Sequence, residues 1–157
     1  MTAQIRPALV SDVPDLFAVR TSVSENHLSI EQLAQMGITE EAVAGMIASS
    51  PCAWVAIVDD RLVGFSMIDM DEASLFAAFV FPTHEGRGLG RKLVLAAEEK
   101  LFERHEEIWL ETGKNTRALG FYHRLGWGNA TDAEHGQFRL TKTRLTRVNL
   151  RGDAGFL

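Results

Sequence analysis

The chain has 157 residues, of which 46% are hydrophobic and 24% charged. That is ordinary globular composition and excludes a disordered, collagen-like or coiled-coil protein; at roughly 100–200 residues per domain, it predicts a single domain over 1–148 and a loosely held tail at 149–157. The 16 Lys and Arg face 21 Asp and Glu, a net charge of -5, so a general electrostatic footprint for nucleic acid is excluded and any basic site must be local.

Gln4–Arg6 ahead of Pro7 reads as an opening strand. Ser11 or Asp12 then caps a helix whose apolar residues Val13, Leu16, Phe17 and Val19 follow helical spacing. Thr21–Glu31 is a polar stretch. Thr39, Glu40 and Glu41 open a second helix through Val43, Met46 and Ile47, which ends before Ser49-Ser50-Pro51. Ala53–Val58 and Leu62–Ile68 flank the polar connector Asp59-Asp60-Arg61 and predict a hairpin. Leu75–Phe81 is a third apolar run, stopped by Pro82. Leu89, Leu93, Ala97 and Leu101 recur every fourth residue, with Lys92, Glu98, Glu99 and Lys100 interspersed, as in an amphipathic helix. Ile108–Leu110 is strand-like. Asn115 or Thr116 caps a helix that turns Ala118, Leu119, Tyr122 and Leu125 inward, with Gly126 as its C-terminal cap. Trp127–Ala130 and Gln137–Lys142 predict two more strands. The total is a mixed α/β arrangement of six or seven strands with four helices, lacking the regular alternation of a doubly wound fold.

The single cysteine, Cys52, permits no intrachain disulfide and reads as a buried small hydrophobe. No apolar run approaches the ~20 residues of a membrane span, and Met1–Ser11 has neither the basic start nor the apolar stretch of a signal peptide. The expectation is a cytoplasmic protein with no membrane and no nucleic-acid partner.

The most informative segment is Val80-Phe81-Pro82-Thr83-His84-Glu85-Gly86-Arg87-Gly88-Leu89-Gly90-Arg91-Lys92, in which an apolar strand meets an amphipathic helix through a glycine-rich turn. Glycines let a ligand approach the backbone closely. The unpaired N–H groups and positive dipole end of the following helix favour an anion, with Arg87, Arg91 and Lys92 alongside. The site suits a pyrophosphate. A dinucleotide fingerprint starting at Gly86 fails because Arg91 stands where its last glycine is needed, and a P-loop fails because Gly90 is followed by Arg91 rather than Lys. Gly64-Phe65-Ser66 lacks the fifth-position glycine of a nucleophile elbow. His84-Glu85 and His105-Glu106 lack the second histidine of a zinc helix, and no metal site is expected.

Downstream run Leu110-Glu111-Thr112-Gly113-Lys114-Asn115, then Ala118 and Phe121-Tyr122-His123-Arg124-Leu125-Gly126-Trp127. Taken with Arg87-Gly88-Leu89-Gly90, these motifs resemble the GNAT superfamily of acetyl-CoA-dependent N-acetyltransferases. The resemblance runs from about Ile5 to Leu145 and includes Val63-Gly64-Phe65 and Ile5-Arg6-Pro7-Ala8. It implies a central twisted, mixed, mostly antiparallel sheet of six or seven strands flanked by about four helices, with acetyl-CoA as cosubstrate. It also implies that backbone groups of Ala78, Phe79 and Val80 line the pantetheine and thioester. Gly86, Arg87, Gly88, Leu89, Gly90 and Arg91 would hold the pyrophosphate, Asn115 the pantetheine arm, and Tyr122 would point at the sulfur. Glu85 departs from the family, which usually has Gln or Arg there.

An amine would attack directly, since no residue looks like an activated covalent nucleophile. Backbone N–H groups near Phe79–Val80 could polarise the carbonyl. Tyr122 is the candidate acid for the departing thiolate, because a phenol with an ordinary pKa of ~10 is protonated at neutral pH. Glu111 is the first candidate for the base, followed by Asp71 and Glu72, with a relayed water as the alternative. The acceptor would be chosen by Thr21–Ser49 with part of Thr131–His135, through Glu25, Asn26 and His27. The expected partner is an amine-bearing acceptor, either a small molecule or a protein amine, and a homodimer is compatible with the sequence. The competing reading is a non-catalytic acyl-CoA-binding sensor or interaction module; a DNA-binding regulator would need a basic recognition helix that is missing.

Overall fold

A computed structural model describes residues 3–144; the expected tail at 149–157 lies outside them. The elements in chain order are β1 Ala3–Pro7, α1 Val13–Arg20, α2 Ile30–Gln35, α3 Glu40–Ser49, β2 Ala53–Val58, β3 Arg61–Asp69, β4 Ser74–Val80, α4 Leu89–Leu101, β5 Glu107–Gly113, α5 Arg117–Arg124, β6 Gly128–Asp132 and β7 Gln137–Thr143. The strands form one seven-stranded sheet in the order β1-β2-β3-β4-β5-β7-β6. The β1–β2, β2–β3, β5–β7 and β6–β7 ladders are antiparallel, and β4 pairs with β5 in parallel at Ser74↔Trp109. A parallel pair needs a crossover connection, and α4 provides it.

The seven strands agree with the expected six or seven, and five described helices stand where about four were expected. The missed helix is α2, six residues at the end of what reads as a polar stretch. It is too short to display a helical period, and its start is marked instead by a capping box. The Ser29 hydroxyl accepts from the Gln32 N–H at 3.1 Å, while the Gln32 side chain accepts from the Ser29 N–H at 2.8 Å.

The described residues fall into two compact units: those up to Ile68 together with Ala77–Ala97, and Asp69–Phe76 together with those from Glu98 onward. In the first, the β2–β3 hairpin turns at Asp59 and Asp60, whose φ values of 52° and 63° match the paired left-handed residues of a type I′ turn. Ala56, Val58, Val63, Leu89 and Leu93 form a buried cluster under Ile5, Trp54, Val80 and Phe81. Helix α1 buries Val13, Leu16, Phe17 and Val19. In the second unit Leu101, Ile108, Leu110, Trp127 and Leu140 are fully or almost fully buried.

Asp12 is the residue before α1, yet its side chain makes no cap hydrogen bond to that helix. It accepts instead from Arg6 through both carboxylate oxygens, at 2.8 and 3.1 Å, and from the Leu9 N–H at 2.8 Å. The Arg6 hydrogen bonds hold the Asp12 carboxyl below the usual carboxylate range, against the opposing effect of burial. The resulting stabilisation is complete above that range and is lost as the pH falls through the lowered native value. Asp12→Asn is expected to cost about 1.5–3 kcal/mol near neutral pH, with the gap to wild type closing in acid. Urea titrations across the acid range measure this; a gap independent of pH would assign the loss to packing.

Candidate functional site

The β4–α4 junction lies in the first unit. After a single 3-10 turn, Pro82–His84, the chain passes through Gly86 at φ +77° and Gly88 at φ +81° and enters α4 at Leu89. Any larger residue would be strained at these two left-handed positions, although a Cβ at either would meet no atom within 4 Å. The turn is therefore glycine-rich because of its backbone path rather than through crowding. Leu89 is buried and anchors the start of the helix. The first intrahelical bond runs from the Lys92 N–H to the Gly88 carbonyl at 3.2 Å, so the N–H groups of Leu89, Gly90 and Arg91 precede it, unused by the helix. Arg87, Arg91 and Lys92 are exposed around them, as is Glu85.

Ala78, Phe79 and Val80 are partly buried on β4. The Phe79 ring packs against Phe65 at 5.9 Å between centroids, and the Arg20 guanidinium lies 4.4 Å over its face. Arg20 is partly buried at the end of α1, and its Nη1 is sealed from solvent without a hydrogen-bond partner. Burial pulls its pKa below the ordinary guanidinium value. The sequence reading missed Arg20, because a basic residue in a helix's last turn is the commonplace complement of the dipole. Glu25, Asn26 and His27 lie exposed between α1 and α2; Asn26 is left-handed at φ 55°, and the His27 ring Nδ1 lies 3.0 Å from the Val23 carbonyl oxygen.

The second unit holds Tyr122, Asn115 and Glu111. Thr116, not Asn115, caps α5, accepting from the Leu119 N–H at 3.3 Å and leaving Asn115 exposed in the turn before it. Tyr122 is buried, edge-on to Trp127 at 6.2 Å and to Phe121 at 5.1 Å. Its hydroxyl makes no hydrogen bond among the described residues. Burial, reinforced by the negative charge of Glu98, pushes the phenol well above its ordinary pKa, so it remains protonated. Glu111 accepts from Arg139 Nη2 at 2.9 Å and Nε at 3.3 Å, while the Arg139 guanidinium stacks on Trp109 at 3.9 Å. Asp71 and Glu72 are exposed.

Helical spacing puts Glu98 beside the polar face of α4, yet it is fully buried. Lys142 Nζ donates to Glu98 Oε1 at 2.8 Å and to the Leu125 carbonyl at 2.6 Å, and the Trp127 indole donates to Glu98 Oε2 at 3.0 Å. Neither charge is visible as buried in the sequence, since each acquires its partner only through folding.

Fold and junction together define an α/β protein with a mixed seven-stranded sheet, whose strand-to-helix turn presents backbone N–H groups and basic side chains. The sequence signature of the Acetyltransferase (GNAT) family matches residues 15–127, and the chain belongs to that family. The ribosomal protein bS18-alanine N-acetyltransferase of Salmonella typhimurium is 38% identical over 77 residues, 46% of this chain and 52% of that protein. The chain thus spans about half the length of this relative. Peptidyl-lysine N-acetyltransferase YjaB of the same organism is 31% identical over 131 residues, 81% of this chain and 84% of that protein. The crystal structure of PaiA N-acetyltransferase from Thermoplasma acidophilum in complex with coenzyme A matches with a TM-score of 0.75 over 91% of this chain and 99% of that one; at 22% identity the likeness is one of fold.

Removing one partner of a buried ion pair leaves the other charge uncompensated in the interior. Lys142→Met is expected to destabilise the protein by about 3–5 kcal/mol, and adding Glu98→Gln to recover part of that loss. Chemical denaturation of the single and double variants measures the coupling. A double variant no more stable than Lys142→Met would show that the packing around Lys142, not the unpaired carboxylate, carries the effect.

Proposed function

We propose that the protein is an N-acetyltransferase that moves an acetyl group from acetyl-CoA to a primary amine by direct attack in a ternary complex. The observation that carries this reading is the β4–α4 turn, with left-handed Gly86 and Gly88 ahead of helical N–H groups that no carbonyl of α4 uses. Successive N–H groups in such a turn form a concave anion cradle, and exposed Arg87 and Arg91 add charge at its rim. The turn therefore fits a pyrophosphate. The relatives named as acetylating a ribosomal-protein alanine and a peptidyl lysine support an amine acceptor.

In this reading Gly86–Arg91 hold the CoA pyrophosphate, the backbone of Ala78, Phe79 and Val80 borders the pantetheine, and Asn115 contacts the same arm. Bound acetyl-CoA supplies an activated acetyl thioester. As the amine nitrogen bonds to the carbonyl carbon and the C–S bond breaks, the Tyr122 hydroxyl donates its proton to the leaving sulfur. The amine gives up a proton in turn, and exchange with solvent returns a proton to the Tyr122 phenolate and removes the one taken from the amine, so that charge and protons balance over the cycle. The recipient of the amine proton is Glu111 or a water, and the Arg139 hydrogen bonds to Glu111 Oε2 leave Oε1 as the oxygen for that task. Glu25, Asn26 and His27 take part in choosing the acceptor.

A thiol-release screen with acetyl-CoA against a panel of amines tests the proposal. CoA binding without turnover on any amine would favour a sensor. Gly88→Asp carries the backbone strain of any side chain at this left-handed position, less for Asp than for most residues, and places negative charge at the anion site; CoA affinity should fall about tenfold or more, and unchanged affinity by calorimetry in a folded variant would remove the pyrophosphate from this turn. Tyr122→Phe should retain CoA affinity while kcat falls by about 10²–10⁴-fold. Near-normal turnover with a lowered melting temperature would make the tyrosine a packing residue.

A further inference from the structure

Three arginines among the described residues are partly buried: Arg6, Arg20 and Arg144. Arg6 is held by Asp12 and Arg144 by Glu106. Arg20 makes no ion pair and no hydrogen bond among the described residues; its only recorded contact of this kind is the face of Phe79. In a chain with 21 acidic residues, a half-buried arginine without a carboxylate is not explained by shortage of partners.

Nor does the helix end explain it. A guanidinium at a helix C-terminus is normally stabilised by the last free carbonyls. Here the Phe17 carbonyl accepts from the Thr21 N–H at 3.0 Å and from its hydroxyl at 2.8 Å, and the Val19 carbonyl accepts from the Ser22 N–H at 3.1 Å and its hydroxyl at 2.6 Å. The end of α1 is closed by its own neighbours, and Arg20 is left over. The Arg20 Cζ lies 4.4 Å over the Phe79 ring, and with Nη1 sealed from solvent the donors left for a ligand are Nε and Nη2, the edge that pairs bidentately with a carboxylate. Phe79 is also the residue whose backbone borders the acetyl donor in the function proposed above, and Arg20 and Phe79 belong to the same compact unit.

We propose that Arg20 is a specificity residue of the acceptor site, binding a carboxylate carried by the amine that is acetylated. This rests on the acetyltransferase reading and narrows its acceptor to amines bearing a negative group. That group has two sources, the carboxylate of a free amino acid or an acidic side chain next to a peptide N-terminus. A lost ion pair of this kind corresponds to a drop of about 10–100-fold.

The test compares matched acceptors by thiol release: an α-amino acid against its carboxamide, and a short peptide with Asp in second position against the same peptide with Asn. Wild type should favour the acid in one pair by about tenfold or more, and the pair that responds identifies the source. Arg20→Gln should abolish that preference by raising KM for the acid while leaving the neutral acceptor and CoA affinity within about twofold. Arg20→Lys, which keeps the charge but not the planar fork, should retain part of it and carries the test if Arg20→Gln does not fold. Equal use of acid and neutral acceptors by wild type, or equal losses on both in the variants, would overturn the proposal.

A binding measurement separates this from failure of the acetyltransferase reading. An N-acetyl amino acid, titrated calorimetrically into the CoA-saturated protein, should bind wild type about tenfold or more tighter than Arg20→Gln. If neither it nor an N-acetylated Asp peptide binds wild type, the carboxylate role is wrong whatever the turnover. If binding depends on Arg20 but no amine releases thiol, the transfer reading fails and the anion site stands.

Discussion

Lys142 and Glu98 are both removed from water, and each is tolerable there only because the other lies 2.8 Å away. A buried ion pair contributes little net stability compared with an apolar pair of similar size, but it is demanding about geometry. Helix α4 must present Glu98 to β7, the end of α5 must bring the Leu125 carbonyl to the lysine, and Trp127 must place its indole N–H on the second carboxylate oxygen. The second unit is organised around those requirements. Tyr122 inherits its setting from them, since Trp127 packs against its ring and the charge of Glu98 opposes its ionisation.

The first unit handles charge differently. Its donors include backbone N–H groups at the head of α4 that no α4 carbonyl uses, and an arginine with no ion pair among the described residues. A net charge of -5 is compatible with the anion binding proposed for this unit, because screening confines surface charges to about a Debye length, ~8–10 Å at ordinary ionic strength. Which cations meet a carboxylate, as Arg6, Arg139 and Arg144 do, is a property of the tertiary arrangement.

The elements that could be read from the chain are those whose causes are local. Ala53–Val58 matches β2 residue for residue, and the Asp59-Asp60 hairpin and α4 follow the pattern of apolar spacing and turn residues. Helix α2 was not legible through periodicity, because its six residues hold only Leu33 as a buried position; the Ser29/Gln32 capping box was its one available signal. Asp12 was legible as a residue at the head of α1 but not as the acceptor of Arg6, and Thr116 was separable from Asn115 only by the observed hydrogen bond to Leu119.

The strand order along the chain, every helix but α2, the glycine path into α4 and the family to which the chain belongs could all be read from the sequence. The elements and the glycine path depend on residues within a few positions of one another, where sterics and apolar spacing act without knowledge of the rest of the chain; the family rests on several such local motifs in a fixed order. Tertiary structure alone decided that Glu98 is buried against a lysine 44 residues away and that Glu111 is held by an arginine 28 residues away. It also decided that Arg20 meets an aromatic face instead of a carboxylate. The physical reason is that a charge's cost or use depends on what surrounds it, and those surroundings are assembled only when distant segments pack together.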